Sequence, residues 1–303
     1  MKILVTGGAG FIGSHLVDKL IDKGHKVLVL DDLSIGKKEN INLKAKFIKL
    51  NINSNKLGNV IEDFKPKAIY HLVAQKSVGF SFEDPKFDAQ INIIGSLNLL
   101  QEALKQKINK FIFISSAAVY GNVRKIPTPE KINKKPLSPY GLTKLALEKY
   151  LYILADNKLE WTIFRPSNVY GPRQDPEGEA GVIAIFINNI MDNLPINING
   201  DGKQTRDYIY VEDVAEGLLK ALDNKGGIFN ICTGKETSVN DLVKYLKKIN
   251  KKKIKVKYRD GIKGEIKYSC LMLDKAKKEL NFEPKFDMEE GLKLTYKWFK
   301  DKK

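Results

Sequence analysis

The chain has 303 residues, 43% of them hydrophobic and 29% charged, enough for one large domain or a domain with a smaller lobe. No apolar run reaches spanning length and Met1-Lys2 leads straight into a strand-like run, so a cytoplasmic protein with no membrane partner is expected. The formal net charge of +16 is mostly lysine crowded into the last third, without aromatic interleaving, and reads as solvated surface rather than a nucleic-acid site; Cys232, Cys270, His15, His25 and His71 show no metal-ligand spacing.

In chain order, short apolar runs alternate with helical stretches. Strands are expected over 2–5, 26–30, 46–50, 68–72, 110–115 and 161–165. Helices are expected over 11–23, 87–105 and 143–157. That alternation is the pattern of βαβ units and a parallel sheet. After Pro166 the chain turns to Gly/Pro-rich loops (168–172, 175–181, 199–207), then returns to short helices and strands. No repeat or low-complexity linker separates the halves. Residues 1–166 are therefore read as a dinucleotide-binding domain to which later segments return, and 167–303 as mainly an interlaced substrate lobe.

Between the first strand and the first helix lies Val5-Thr6-Gly7-Gly8-Ala9-Gly10-Phe11-Ile12-Gly13. Gly8, Gly10 and Gly13 fit GxGxxG, and Gly7, Gly10 and Gly13 fit GxxGxxG. Either spacing allows a tight turn whose backbone N–H groups approach a pyrophosphate at a helix N-terminus. About twenty residues on, the second strand ends in Asp31-Asp32. A carboxylate there accepts hydrogen bonds from the adenosine ribose and repels a 2′-phosphate, so NAD rather than NADP is expected, with Asp31 as ligand. Further on, Ser115-Ser116 ends a strand, and Tyr140-Gly141-Leu142-Thr143-Lys144 opens a helix. Tyrosine and lysine four apart share one helix face. The ammonium is expected to draw the phenol's pKa down, so that Tyr140 takes a proton from a hydroxyl while Ser116 hydrogen-bonds the reacting oxygen.

These segments, with His71-Leu72-Val73-Ala74-Gln75, Arg165-Pro166-Ser167-Asn168 and Gln204-Thr205-Arg206-Asp207, resemble the extended short-chain dehydrogenases along almost the whole chain. The nearest likeness is to the UDP-glucose 4-epimerase group. The resemblance implies a Rossmann-type doubly wound parallel sheet of the α/β class, with the smaller lobe holding a UDP-sugar. It implies that Ser116, Tyr140 and Lys144 are catalytic, and that Gly7, Gly10, Phe11, Ile12, Gly13, Asp31, Asp32, Asn51, Ile52, Lys76, Tyr140 and Lys144 line the NAD site. On the substrate side it implies Ser116, Tyr140, Asn168, Val182, Arg206 and Ser269. Asn168 and Arg206 would hold the diphosphate, and 181–186 would lie near the uracil; a surface ion pair with Asp207 is the alternative for Arg206.

The family's usual Asp stands as Asn51 here, near the adenine. Its second diphosphate arginine stands as Ile262, with Arg259 or Lys263 as replacements. The resemblance further implies that Ser269, five places after Gly264, gates the sugar's 2-substituent, its small side chain leaving room for an N-acetyl group; the alternative is a polar residue on a strand. Dehydratases and decarboxylases of the family carry an acid beside the catalytic serine, whereas Ala117-Ala118 stand here. That favours 4-epimerisation through a 4-keto sugar over elimination, decarboxylation or a non-catalytic NAD-binding role. The resemblance also implies a homodimer through helices beside the catalytic one.

Overall fold

In the computed structural model, residues 1–177, 181–250, 254–261 and 266–303 are described. Six strands are laid down first: β1 (Lys2–Thr6), β2 (Lys26–Asp31), β3 (Lys46–Lys49), β4 (Ala68–His71), β5 (Lys110–Ile114) and β6 (Glu160–Pro166). Four short strands follow outside that sheet, β7 (Asn168–Tyr170), β8 (Ile196–Asn199), β9 (Thr205–Arg206) and β10 (Tyr208–Tyr210). Then β11 (Gly227–Ile231) returns to it, ahead of β12 (Thr237–Ser238), β13 (Val256–Arg259) and β14 (Tyr268–Ser269). The central sheet runs β3-β2-β1-β4-β5-β6-β11, with every neighbouring pair parallel. Chain order reverses between β1 and β4, and the carboxyl ends of strands at such a reversal open into a crevice.

The strands are nearly continuous apolar runs because helices cover both faces. Along β1, Ile3 and Val5 face one core and Leu4 the other, and β2 repeats this with Val27 and Val29 against Leu28 and Leu30. One layer contains α1 (Phe11–Asp22), the other α2 (Leu57–Phe64). Two short helices follow, α3 (Val78–Glu83) and α4 (Pro85–Ala89), then α5 (Ser96–Lys105) and α6 (Pro139–Ala155), whose Leu99, Leu100, Leu147 and Leu151 complete the α2 layer. Next come α7 (Val182–Met191), α8 (Val211–Leu219), α9 (Val239–Asn250), α10 (Asp274–Leu280) and α11 (Met288–Lys302). Of these, α8 and α10 pack with α1, through Val214, Leu218, Ala276 and Leu280. A separate core joins α7, α9 and α11 with β8 and β10 through Phe186, Ile187, Leu242, Leu246, Leu292 and Phe299.

Two helices differ from the sequence reading. The helix expected over 87–105 is broken into α4, a π-helical turn over Gln90–Gly95, and α5. The turn aims Asn92 at the chain after β4, where its side chain accepts from Gln75 N–H at 2.9 Å and donates to Gln75 C=O at 3.0 Å. A single widened turn barely disturbs a 3.6-residue pattern, so periodicity does not reveal it. The helix expected over 143–157 begins earlier, at Pro139, because Ser138 caps it (Gly141 N–H to Oγ, 3.1 Å) and proline suits the first helical position.

Candidate active site

A cavity of about 410 Å³ lies at the carboxyl ends of the strands, between the glycine turn and the chain after β6. On its cofactor side the backbone leaves no room for side chains. Gly7 has φ +75°, and a Cβ there would lie 2.8 Å from Val73 N; a Cβ on Gly13 would lie 2.1 Å from Gly7 O. Gly10 is the N-cap of α1, with no side-chain cap and no acidic residue in the first turn. The first N–H groups of α1 are thus left for an anion, together with the positive end of the helix dipole. These features fit a pyrophosphate, so the chain's own residues suit NAD.

Asp31, expected as the ribose ligand, also anchors the glycine turn: its carboxylate accepts from Ala9 N–H at 3.0 Å and Leu33 N–H at 2.9 Å. Burial raises its pKa against those hydrogen bonds. Burial also opposes the charge of Asp32, but hydrogen bonds from Ser34 and Asn51 outweigh it and hold that carboxyl below its usual range. Gly7, Gly10, Phe11, Ile12, Gly13, Asp31, Asp32 and Lys76 all line the cavity. Asn51 stands behind Asp32, donating to it at 2.7 Å, and Ile52 turns its side chain into the α2–α5 core; neither is part of the lining.

Ser116, Tyr140 and Lys144 meet on the opposite wall. Ser116 follows β5 and caps a short 3-10 turn, its Oγ accepting from Ala118 N–H at 3.1 Å. Tyr140 and Lys144 sit one turn apart at the start of α6. The Lys144 ammonium is buried, donates to Ile114 C=O at 2.9 Å and lies 4.9 Å from the Phe113 ring and 5.9 Å from the Tyr140 ring. The expected direction of the tyrosine's pKa is overturned. The Tyr140 ring opens onto the cavity, yet the protein wall strips water from its oxygen, and this burial pushes the phenol up to about 12. A hydrogen bond from Ser116 works the other way, and the negative charge of Asp88 adds to the rise. Burial brings Lys144 down to about 8, while Asp88 and Glu148 hold it up. The ammonium donates to the Ile114 carbonyl, and burial rather than its charge decides the direction of the phenol's shift.

Asn168 and Val182 line the same cavity, Val182 as the first residue of α7. Arg206 and Ser269 do not. They are register partners across β9 and β14, with Arg206 Nη1 donating to Thr205 C=O at 2.8 Å. The Asp207 carboxylate is occupied by Thr233 N–H (2.9 Å), Thr233 Oγ1 (2.7 Å) and Gly234 N–H (3.0 Å). Arg259 is exposed on β13, and Ile262 and Lys263 lie outside the described residues.

Sequence reasoning passed over a loop that closes one side. Arg173, Gln174 and Asp175 line the cavity, with Arg173 ion-paired to Asp18 of α1 at 2.8 Å and His15 of α1 bonded to Pro172 C=O at 3.0 Å. The Gly-Pro-Arg-Gln-Asp-Pro run over 171–176 was the available signal, but its partners on α1, His15 and Asp18, lie more than 150 residues away.

Fold and cavity together define a dinucleotide-binding enzyme of the α/β class. A family model described as NAD dependent epimerase/dehydratase matches residues 3–232. The structure of UDP-glucose 4-epimerase from Thermotoga maritima, with UDP-glucose, is 46% identical at TM-score 0.97, over 100% of this chain and 99% of the other. UDP-glucose 4-epimerase from Thermus thermophilus, in complex with NAD, is 37% identical at TM-score 0.94, over 99% of each chain. UDP-N-acetylglucosamine 4-epimerase from Methanobrevibacter ruminantium, in complex with UDP-N-acetylmuramic acid, is 37% identical at TM-score 0.95, over 100% of this chain and 99% of the other. The chain belongs to the NAD dependent epimerase/dehydratase family, and NAD is its cofactor.

Proposed function

We propose that the chain is a UDP-hexose 4-epimerase, acting on UDP-glucose and UDP-galactose and also on their N-acetylated counterparts. The observation that carries this reading is the convergence of Ser116, Tyr140 and Lys144 in the cavity that holds the glycine turn. When bound, NAD supplies reversible oxidation at carbon 4 of the sugar and a positive nicotinamide that favours the phenolate. Tyr140 takes the proton of the 4-hydroxyl and later returns it, and Ser116 hydrogen-bonds the same oxygen. Lys144 adds positive charge beside the phenol ring. Asn168 and Arg206 hold the diphosphate while the sugar turns its other face; an arginine fork suits phosphate oxygens.

Among the described residues, elimination and decarboxylation lack a group beside Ser116, which is followed by Ala117 and Ala118. The carboxylates of those residues that line the cavity are Asp31, Asp32 and Asp175, and Asp31 and Asp32 stand on the cofactor side. Glu130 is buried and accepts from Asn230 N–H at 2.9 Å. Incubation with UDP-glucose, UDP-galactose and their N-acetylated forms, followed by product separation, tests the reading. Interconversion at carbon 4 is expected, and a dehydrated product, or loss of carbon dioxide from UDP-glucuronic acid in a parallel incubation, would overturn it.

The protein is further proposed to work as a homodimer. Helices α3, α4 and α6 pack together and leave Phe80, Phe82, Phe87, Tyr150 and Ile153 exposed, an apolar surface that a second copy would cover. Light scattering should give twice the chain mass; the monomer mass would count against it.

A further inference from the structure

Asp88 takes no part in the proton transfer above, yet it sits behind it. Its carboxylate is fully buried. Oδ1 accepts from Gln75 Nε2 at 2.8 Å and from Asn92 Nδ2 at 2.9 Å, and Oδ2 accepts from the Thr143 hydroxyl at 2.8 Å. The three donors come from three places. Gln75 belongs to the chain after β4 that carries the cavity-lining Ala74 and Lys76, Asn92 to the π-helical turn, and Thr143 to α6, next to Lys144. None of the three is a cation. A carboxylate buried among neutral donors is costly unless an opposite charge stands near.

The other buried charges around Lys144 are already matched. Arg165 clasps Glu148 with two hydrogen bonds, at 2.9 and 2.5 Å. His71, facing Lys144 from β4, is neutral, because burial and the ammonium press its pKa down to about 3. Tyr140 is a neutral phenol in the ligand-free chain. That leaves one buried ammonium, which donates to the Ile114 carbonyl, and one buried carboxylate.

We propose that Asp88 is the buried counter-charge of Lys144, a positioning residue that ties the charge balance of the site to the clasp between α6 and the chain after β4. The inference rests on the reading of Tyr140 and Lys144 as the proton-transfer pair and names what sets their working pH.

Asp88→Asn removes the charge and keeps the clasp. The amide oxygen still accepts from Gln75 and Asn92. The amide nitrogen then donates to Thr143 Oγ1, whose own proton already has an acceptor in Tyr140 C=O at 3.0 Å. The charge of Asp88 raises both Lys144 and Tyr140, so its loss lowers both. The acid limb of the turnover profile, set by loss of phenolate, and the alkaline limb, set by loss of ammonium, then move together to lower pH, by roughly one pH unit. A purely structural role would lower the plateau and leave the limbs in place, and that result would overturn the proposal.

A second measurement needs no turnover. At neutral pH, Asp88→Asn should lower the melting temperature of the wild-type chain and have much less effect in a Lys144→Met background, where no ammonium requires a partner. If Asp88→Asn fails to fold alone, recovery in the double variant supports the pairing and continued unfolding overturns it. Equal losses in both backgrounds also overturn it. Should the wild-type chain show no epimerisation at all, the proposed function falls while this thermal cycle still decides the counter-charge.

Discussion

The two walls of the cavity are built in different ways. On the cofactor wall the decisive contacts are local or nearly so: Gly10 N–H to Gly7 C=O at 3.1 Å, Ser14 N–H to Gly10 C=O at 3.1 Å, and Ala9 N–H to Asp31 at 3.0 Å. Its shape is set by backbone that cannot accept a Cβ. On the substrate side the lining is held by distant chain, as where β7, which carries Asn168, pairs with β10, and Arg173 meets Asp18 of α1 at 2.8 Å. One wall is specified by what is absent, the other by side chains whose neighbours arrive from far along the sequence. Substitutions on the first should therefore abolish cofactor binding, and substitutions on the second should grade the affinity for substrate.

The sharpest break is Gly13→Ala. A Cβ would have to lie 2.1 Å from Gly7 O, so the turn must open and α1 must shift. NAD should be absent from the purified variant and activity lost with it, measured by mass spectrometry of the denatured supernatant and by turnover. A variant that retained NAD would show that the turn is adaptable and that the contrast between the walls is false. NADP as the main nucleotide in the wild-type chain would overturn the role given to Asp31 and Asp32.

Tyr140→Phe comes next. It leaves both walls intact, so bound NAD should remain while turnover falls about a hundredfold to ten-thousandfold, the usual worth of general acid–base catalysis. Near-normal turnover would remove Tyr140 from the chemistry. The ligand-free pKa of about 12 makes a pH test available as well. An un-ionised phenol at neutral pH should appear in ultraviolet titration of the cofactor-stripped chain, against Tyr140→Phe, as one tyrosine that titrates above its ordinary range.

The same contrast explains what could be read from the sequence. The glycine turn and the strand alternation are legible because their causes lie within a few residues; the Ser138-Pro139 start of α6 is just as local, yet the helix was expected only from 143. The helix α2 was not anticipated, and only two of its eight residues, Leu57 and Ile61, are buried. The raised Tyr140 pKa was read in the wrong direction, because spacing shows that Lys144 is near but not that burial outweighs its charge at the phenol oxygen. Asp88 was invisible for a related reason: its partners are Gln75, Asn92 and Thr143, and the last is 55 residues away.

A smaller effect is expected from Arg206→Ala. If Arg206 holds the diphosphate, the variant should raise KM about tenfold to a hundredfold, the worth of one or two charge-assisted hydrogen bonds, with kcat little changed. It stands outside the cavity lining in the ligand-free chain, so an unchanged KM would assign it to the small sheet instead.

The smallest and most selective effect is expected at Ser269. The residue is half-buried on β14, beside Arg206 on β9, and β9 is flanked on its other edge by β12, where Thr237 pairs with Arg206. A residue in register with the proposed phosphate-binding arginine is suited to stand near the sugar once the diphosphate is seated. Serine leaves room for an N-acetyl group, and tyrosine would fill it. Ser269→Tyr should therefore lower turnover of UDP-N-acetylglucosamine and UDP-N-acetylgalactosamine about tenfold, within the range by which a pocket discriminates on bulk, while UDP-glucose turnover stays within about twofold of wild type. Measuring both substrate pairs on one preparation separates steric gating from a general disturbance of the small sheet. An equal loss on all four sugars would mean that the substitution acts through Arg206 and the β9–β14 pairing, and Ser269 would then be a strand residue rather than a gate.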